Sequence, residues 1–184
     1  GNIAVFDTDV LRLIDFIHLT FRDLHCDLRE FNRISEAVAT FLTRKHSSDV
    51  DIPEVQVIKT NIRRSEAIAA AHVVGVPKEH TRFLDLPFYQ TGQIKKKPIG
   101  EEDVQIVVNL LDEVQPEVVF VAGDLSDPHG THRMCKEAID QALRRYTGPK
   151  PEVWLYRGAW QEWDVDQADV FVPLSYEDLN RKIQ

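Results

Sequence analysis

Chemistry concentrates in one stretch of the chain, Gly123-Asp124-Leu125-Ser126-Asp127-Pro128-His129-Gly130-Thr131-His132-Arg133. It follows directly on Glu117-Val118-Val119-Phe120-Val121-Ala122, the clearest buried strand in the sequence. Asp127 suits a helix cap and Pro128 the first helical position, where a missing N–H costs nothing. A helix opening there puts His129 and His132 three residues apart on its first turn, where both can face one pocket. Cys135, Ile139 and Leu143 continue the apolar face, so His132 points toward the sheet. Two imidazoles and two carboxylates at the end of a strand suit a metal site or an acid–base pair. The same letters also describe two surface histidines beside a capping aspartate, and residue chemistry leaves these alternatives open.

The positioning elements can be read from periodicity. Thr8 caps a helix with Val10, Leu11, Leu13, Ile14 and Ile17 on one broad face. A second helix carries Ile34, Ala37, Val38, Phe41 and Leu42 and stops near His46. Pro53 opens a third, with Val55, Ile58 and Ile62 inward, continuing through Arg63 to Val74; Gly75 and Pro77 stop it. Thr81 to Leu86 then reads as a strand ended by Pro87. Glu101 to Val114 is a helix with acids in its first turn, at the positive end of its dipole. After the strand at Val118, a helix runs from about Pro128 to Tyr146. Val153 to Tyr156 and Val170 to Val172 are further short strands, and Ser175 with Asp178 is a capping box for a last helix. Strands alternating with helices imply a mostly parallel sheet covered on both faces, with ligands at the carboxyl ends of its strands.

Composition sets outer limits. The 184 residues are 43% hydrophobic and 28% charged, the balance of one globular domain. A net charge of −8 disfavours a general nucleic-acid binder. No apolar run approaches the roughly 20 residues of a membrane helix, and no signal peptide is visible. Cys26 and Cys135 are the two cysteines, and their wide spacing reads as reduced thiols of a cytoplasmic protein. Lys95-Lys96-Lys97 reads as a solvated loop, Trp154, Trp160 and Trp163 as packing residues, and His18, His25, His46, His72 and His80 as surface or packed side chains.

Gly123 to Arg133 resembles the second signature of the LmbE/PIG-L family of zinc-dependent de-N-acetylases. Arg63-Arg64-Ser65-Glu66-Ala67, Gly75-Val76-Pro77 and Phe83-Leu84-Asp85-Leu86-Pro87-Phe88-Tyr89 extend the likeness over essentially the whole chain. They bring it nearest to the C-terminal LmbE-like half of two-part bacterial proteins named glucosamine-6-phosphate deaminase or isomerase. The resemblance implies a Rossmann-like α/β fold, and a single domain over residues 1–184 that is a fragment trimmed at both ends, including the first strand. It implies that His132 is a zinc ligand and that His129, with Asp127 also in the catalytic loop, supports the tetrahedral intermediate. Arg133 and Arg64 become the candidates for holding an amino-sugar or sugar-phosphate substrate. Two departures are visible: Thr131 stands where the family usually has Asp beside the ligand, and the His-Pro-Asp-Asp signature that supplies the other ligands and the base does not occur. The implied parent is a zinc hydrolase of amino-sugar metabolism that forms homo-oligomers, with this fragment inactive alone. The alternative is a non-catalytic accessory or oligomerisation domain attached to a sugar-phosphate deaminase.

Overall fold

The computed structural model describes residues 2–46, 49–89, 97–123, 128–157 and 163–183. They fall into two compact units, Gly1–Phe83 with Leu174–Gln184, and Leu84–Tyr89 with Lys95–Pro173.

The first unit is helical: α1 (Asn2–Asp23), α2 (Leu28–Arg44), α3 (Pro53–Val73) and α6 (Tyr176–Ile183). Asp27 caps α2 by accepting from the backbone N–H groups of Arg29 (2.8 Å) and Glu30 (2.9 Å). Pro53 opens α3 and Gly75, at φ +83°, follows its end, as the sequence implied. The capping box of α6 is formed: Asp178 N–H donates to Ser175 Oγ and Ser175 N–H to Asp178 Oδ2, both at 3.1 Å.

Two expectations for this unit change. Helix α1 begins at Asn2, so Thr8 lies inside it rather than at its cap. Its apolar stripe at Val10, Leu11, Leu13, Ile14 and Ile17 is exposed, because α1 packs on α3 through the opposite face, around buried Leu19. On α3 the inward residues are Val55, Asn61, Ser65 and Ile68, whereas Ile62 is exposed. Polar contacts hold this junction, where Arg64 reaches Asp23 at 3.5 Å. Burial pushes the Asp23 carboxyl up, but the Arg22 hydrogen bond and charge, with help from Asn61 and Arg64, hold it below its usual value.

The second unit carries the sheet. Strands β1 (Val118–Ala122) and β2 (Glu152–Tyr156) pair in parallel, with Val118 opposite Glu152 and Ala122 opposite Tyr156. Helices α4 (Glu101–Val114) and α5 (Thr131–Arg145) pack on each other, and α5 also touches β1. Their shared core is Val104, Val107, Leu111, Ala142 and Tyr146, joined by Val119 from the strand and by Leu84 and Leu86. The two-residue period of β1 puts Val121 inward at 3% exposure and Phe120 outward at 64%. The strand at Val118 is therefore confirmed but buried on one face only. Phe120 meets Trp154 edge-on across the outer face, at 5.5 Å between centroids.

Two expected strands are absent. Thr81 to Leu86 is irregular and includes Asp85 at φ +49°, a left-handed residue that ends any extended run. Just beyond it, the buried Asp103 carboxylate accepts from Phe88 N–H (2.9 Å) and from Gly100 N–H (2.8 Å), clipping Phe88 to the start of α4. Val170 to Val172 is also irregular and exposed. Among the described residues the chain is thus a mixed α/β protein with six α-helices and a two-stranded parallel sheet.

Candidate functional site

The candidate loop starts where β1 runs out of partners. Gly123 N–H donates to the Tyr156 carbonyl at 2.7 Å, extending the ladder by one bond. A Cβ at Gly123 would lie 3.0 Å from Leu155 Cβ, 3.2 Å from Trp163 Cζ2 and 3.4 Å from the Tyr156 oxygen. That is closer than ordinary Cβ contacts, so a side chain here would push its neighbours aside by a few tenths of an ångström. Residues 124–127 lie outside the described residues, and with them the candidate Asp127.

The chain resumes in a turn at Pro128-His129, and α5 begins at Thr131, later than the proline suggested. Gly130, at φ +66°, holds the cap position expected of Asp127. This αL residue reverses the chain into the helix, so His129 sits in the preceding turn rather than on a helical face shared with His132. His129 is exposed. Arg133 is exposed too, and its guanidinium folds back over the cap, with Nη2 3.1 Å from where a Gly130 Cβ would stand.

His132, the second residue of α5, is half-buried, and its Nδ1 is shut off from solvent with no hydrogen-bond partner among the described residues. A buried imidazole nitrogen in that condition is costly unless a proton donor, a proton acceptor or a metal meets it. That orphaned atom fits one ligand of a metal site. Catalytic zinc wants three protein ligands and an open position, and no group of three or more His, Cys, Asp or Glu side chains comes together among the described residues. The described side chains therefore offer one candidate donor and no complete ligand set.

Arg64 belongs to the helical unit, where it faces Asp23 and lies 5.4 Å from the centre of the Phe83 ring. His129 and Gly130 thus stand in the turn before α5, and His132 and Arg133 in its first turn, while Arg64 has a partner in its own unit. The structure also shows residues that the sequence reading passed over. Arg157 directly follows β2, and its guanidinium carbon lies 3.7 Å from the centre of the Trp163 ring. The available signal was position, since the first residue past a parallel strand is where such sheets place ligand contacts.

The PIG-L family, described as GlcNAc-PI de-N-acetylase, matches residues 36–143, more than half of the chain. The chain belongs to the PIG-L family. The match takes in residues of both units and includes Arg64, Asp127, His129, His132 and Arg133. The PIG-L chain is also 44% identical, over 191 aligned positions, to a protein of Bacteroides thetaiotaomicron whose name goes no further than glucosamine-6-phosphate deaminase-like. That alignment covers 99% of this chain but only 28% of the relative's length. No solved structure matches the chain. No helix among the described residues is long and apolar enough to cross a membrane.

Proposed function

We propose that this PIG-L chain contributes to a zinc-dependent de-N-acetylase of amino-sugar metabolism, with His132 as a metal ligand. One observation carries the reading: a buried His132 Nδ1 without a partner among the described residues, in the first turn of the helix that follows β1 and inside the family match. The parallel arrangement of β1, α5 and β2 supports a Rossmann-like sheet as its frame. Zinc, when bound, would supply Lewis acidity toward an N-acetyl carbonyl.

The chain's own residues do the rest. His132 offers its imidazole from the rigid first turn of α5. His129, free of the helical geometry, donates toward the oxygen that gains charge as the amide is attacked. Asp127 stands in the same loop to hold a proton or orient an imidazole. Arg133 provides the planar donors that suit an anionic sugar substituent, whereas Arg64, the second candidate from the sequence, faces Asp23 in the helical unit. The substrate class is an N-acetylated amino sugar or its phosphate, and the working assembly is a homo-oligomer. Thr131, standing where the family usually places Asp, favours one rival: an accessory domain attached to a sugar-phosphate deaminase.

The test is zinc stoichiometry together with acetate release from N-acetylglucosamine and its 6-phosphate, measured on the longest natural form of the protein. His132→Ala should remove both bound zinc and turnover. Retention of full zinc content by His132→Ala would overturn the assignment, and zinc binding without acetate release from any N-acetyl sugar would favour the accessory role.

A further inference from the structure

We propose that Arg157, stacked on Trp163 at the carboxyl end of β2, binds the phosphate of a phosphorylated amino-sugar substrate. The inference rests on the reading of the His132 loop as a sugar de-N-acetylase site. Four observations support it.

Placement comes first. Because β1 and β2 are parallel and in register, their carboxyl ends lie on the same side of the sheet. Arg157 follows Tyr156, whose carbonyl is bonded to Gly123 N–H, the residue that leads into the histidine loop. The loop and Arg157 thus leave the same end of adjacent strands.

The second observation is the stack itself. At 3.7 Å from guanidinium carbon to ring centre, Trp163 supports one face of Arg157. A guanidinium held flat keeps its N–H donors in the plane of the fork, the geometry that meets two phosphate oxygens at once. Stacking also limits the rotamers that a flexible arginine would lose on binding, so less affinity is spent on ordering it.

Third, the stack is anchored to the strand that carries the site. The indole edge of Trp163 lies 3.2 Å from where a Gly123 Cβ would stand, so it packs closely beside that glycine. Fourth, the other arginine of the loop after β1, Arg133, folds its guanidinium back over Gly130, with Nη2 3.1 Å from where a Cβ would stand there, whereas Arg157 is held against an aromatic ring. In a chain of net charge −8, an anionic substrate needs a local cationic contact, and Arg157 is built into the sheet end where the histidines lie.

The experiment uses the whole chain and a readout independent of turnover. Trp163 touches the guanidinium, so its indole N–H resonance reports on that contact during titration with N-acetylglucosamine 6-phosphate, N-acetylglucosamine and inorganic phosphate. The phosphate ester is expected to shift Trp163 and to bind about tenfold or more tightly than the neutral sugar, the effect of a charge-assisted contact. Arg157→Gln should erase that difference. Arg157→Lys, which keeps the charge without the fork, should keep only part of it, and tests the idea even if the glutamine variant fails to fold. Equal affinity for both sugars, no response of Trp163 to the ester, or an undiminished preference in Arg157→Gln would each overturn the proposal. His132→Ala separates the two readings, since it should abolish acetate release and leave the phosphate preference intact. If no form of the protein releases acetate but the preference persists, the de-N-acetylase reading fails and the Arg157 contact stands.

Discussion

Replacing Asp103 should loosen the whole sheet-bearing unit, and the size of the effect can be worked out from its two hydrogen bonds. The carboxylate is 2% exposed and spends one oxygen on Phe88 N–H and the other on Gly100 N–H. In Asp103→Ala the Gly100 N–H reaches water, because that glycine is exposed, so its loss resembles an ordinary cap deletion of about 1 kcal/mol. Phe88 is 3% exposed, so its N–H is left buried and unpaired at a cost of about 1–3 kcal/mol. The sum is about 3 kcal/mol. Asp103→Asn keeps one acceptor but turns an NH2 group toward the other donor, and should cost about 1–2 kcal/mol. Trp154 and Trp163 belong to the same unit as Asp103, so indole fluorescence in urea follows the right transition. With a denaturant slope of about 2 kcal/mol per molar, the midpoint for Asp103→Ala should fall by about 1.5 M. Exchange of the Phe88 amide should quicken by about two orders of magnitude. An unchanged midpoint with Phe88 still protected in Asp103→Ala would show that this carboxylate does not hold the loop, and the argument would fail.

Other perturbations have equally definite outcomes. Asp51, buried between Lys45 and Lys59, is held below the usual carboxylate range by hydrogen bonds to both ammonium groups. Its folded pKa lies below its unfolded one, so the stability it contributes is present above about pH 4 and is lost as pH falls further. Acid titration of the helical signal should show that loss, and Asp51→Asn should flatten it. Because both lysines can reach water, the variant should cost only about 1–2 kcal/mol at neutral pH, less than breaking a fully buried pair. Gly123→Ala forces a Cβ to 3.0 Å from Leu155 Cβ and should cost about 1–3 kcal/mol by urea titration, while shifting the Trp163 indole resonance. Wild-type stability with an unmoved Trp163 would refute that packing. With one open imidazole identified, the 184-residue chain is expected to lose zinc on dialysis against a chelator, as metal analysis would show; near-stoichiometric retention would mean that further ligands lie within it.

Local rules decided much of this protein. The acids that open α4, Pro53 at the start of α3, Ser175 with Asp178 at α6, and the β-branched run of β1 each act within a few residues, so the sequence alone located those elements. The letters from Gly123 to Arg133 likewise pointed to the site, because glycine at a close approach and paired histidines after a strand are local signals. Tertiary structure decided what local signals leave open. Thr81 to Leu86 has the composition of a strand, but it is irregular, with Asp85 left-handed and Phe88 N–H, just beyond it, bonded to the distant Asp103. The apolar stripe of α1 says that one face is hydrophobic, yet which face meets α3 depends on a partner distant in sequence. Asp127-Pro128 is a good helix opening, but the left-handed turn at Gly130 delays α5 and removes His129 from its face. Trp163 stands beside Gly123, far earlier in the chain, and parallel pairing brings the end of β2 next to that glycine. Capping and periodicity are short-range interactions written in neighbouring residues, whereas the choice of partner for a face, a carboxylate or a guanidinium is settled by the chain returning to itself.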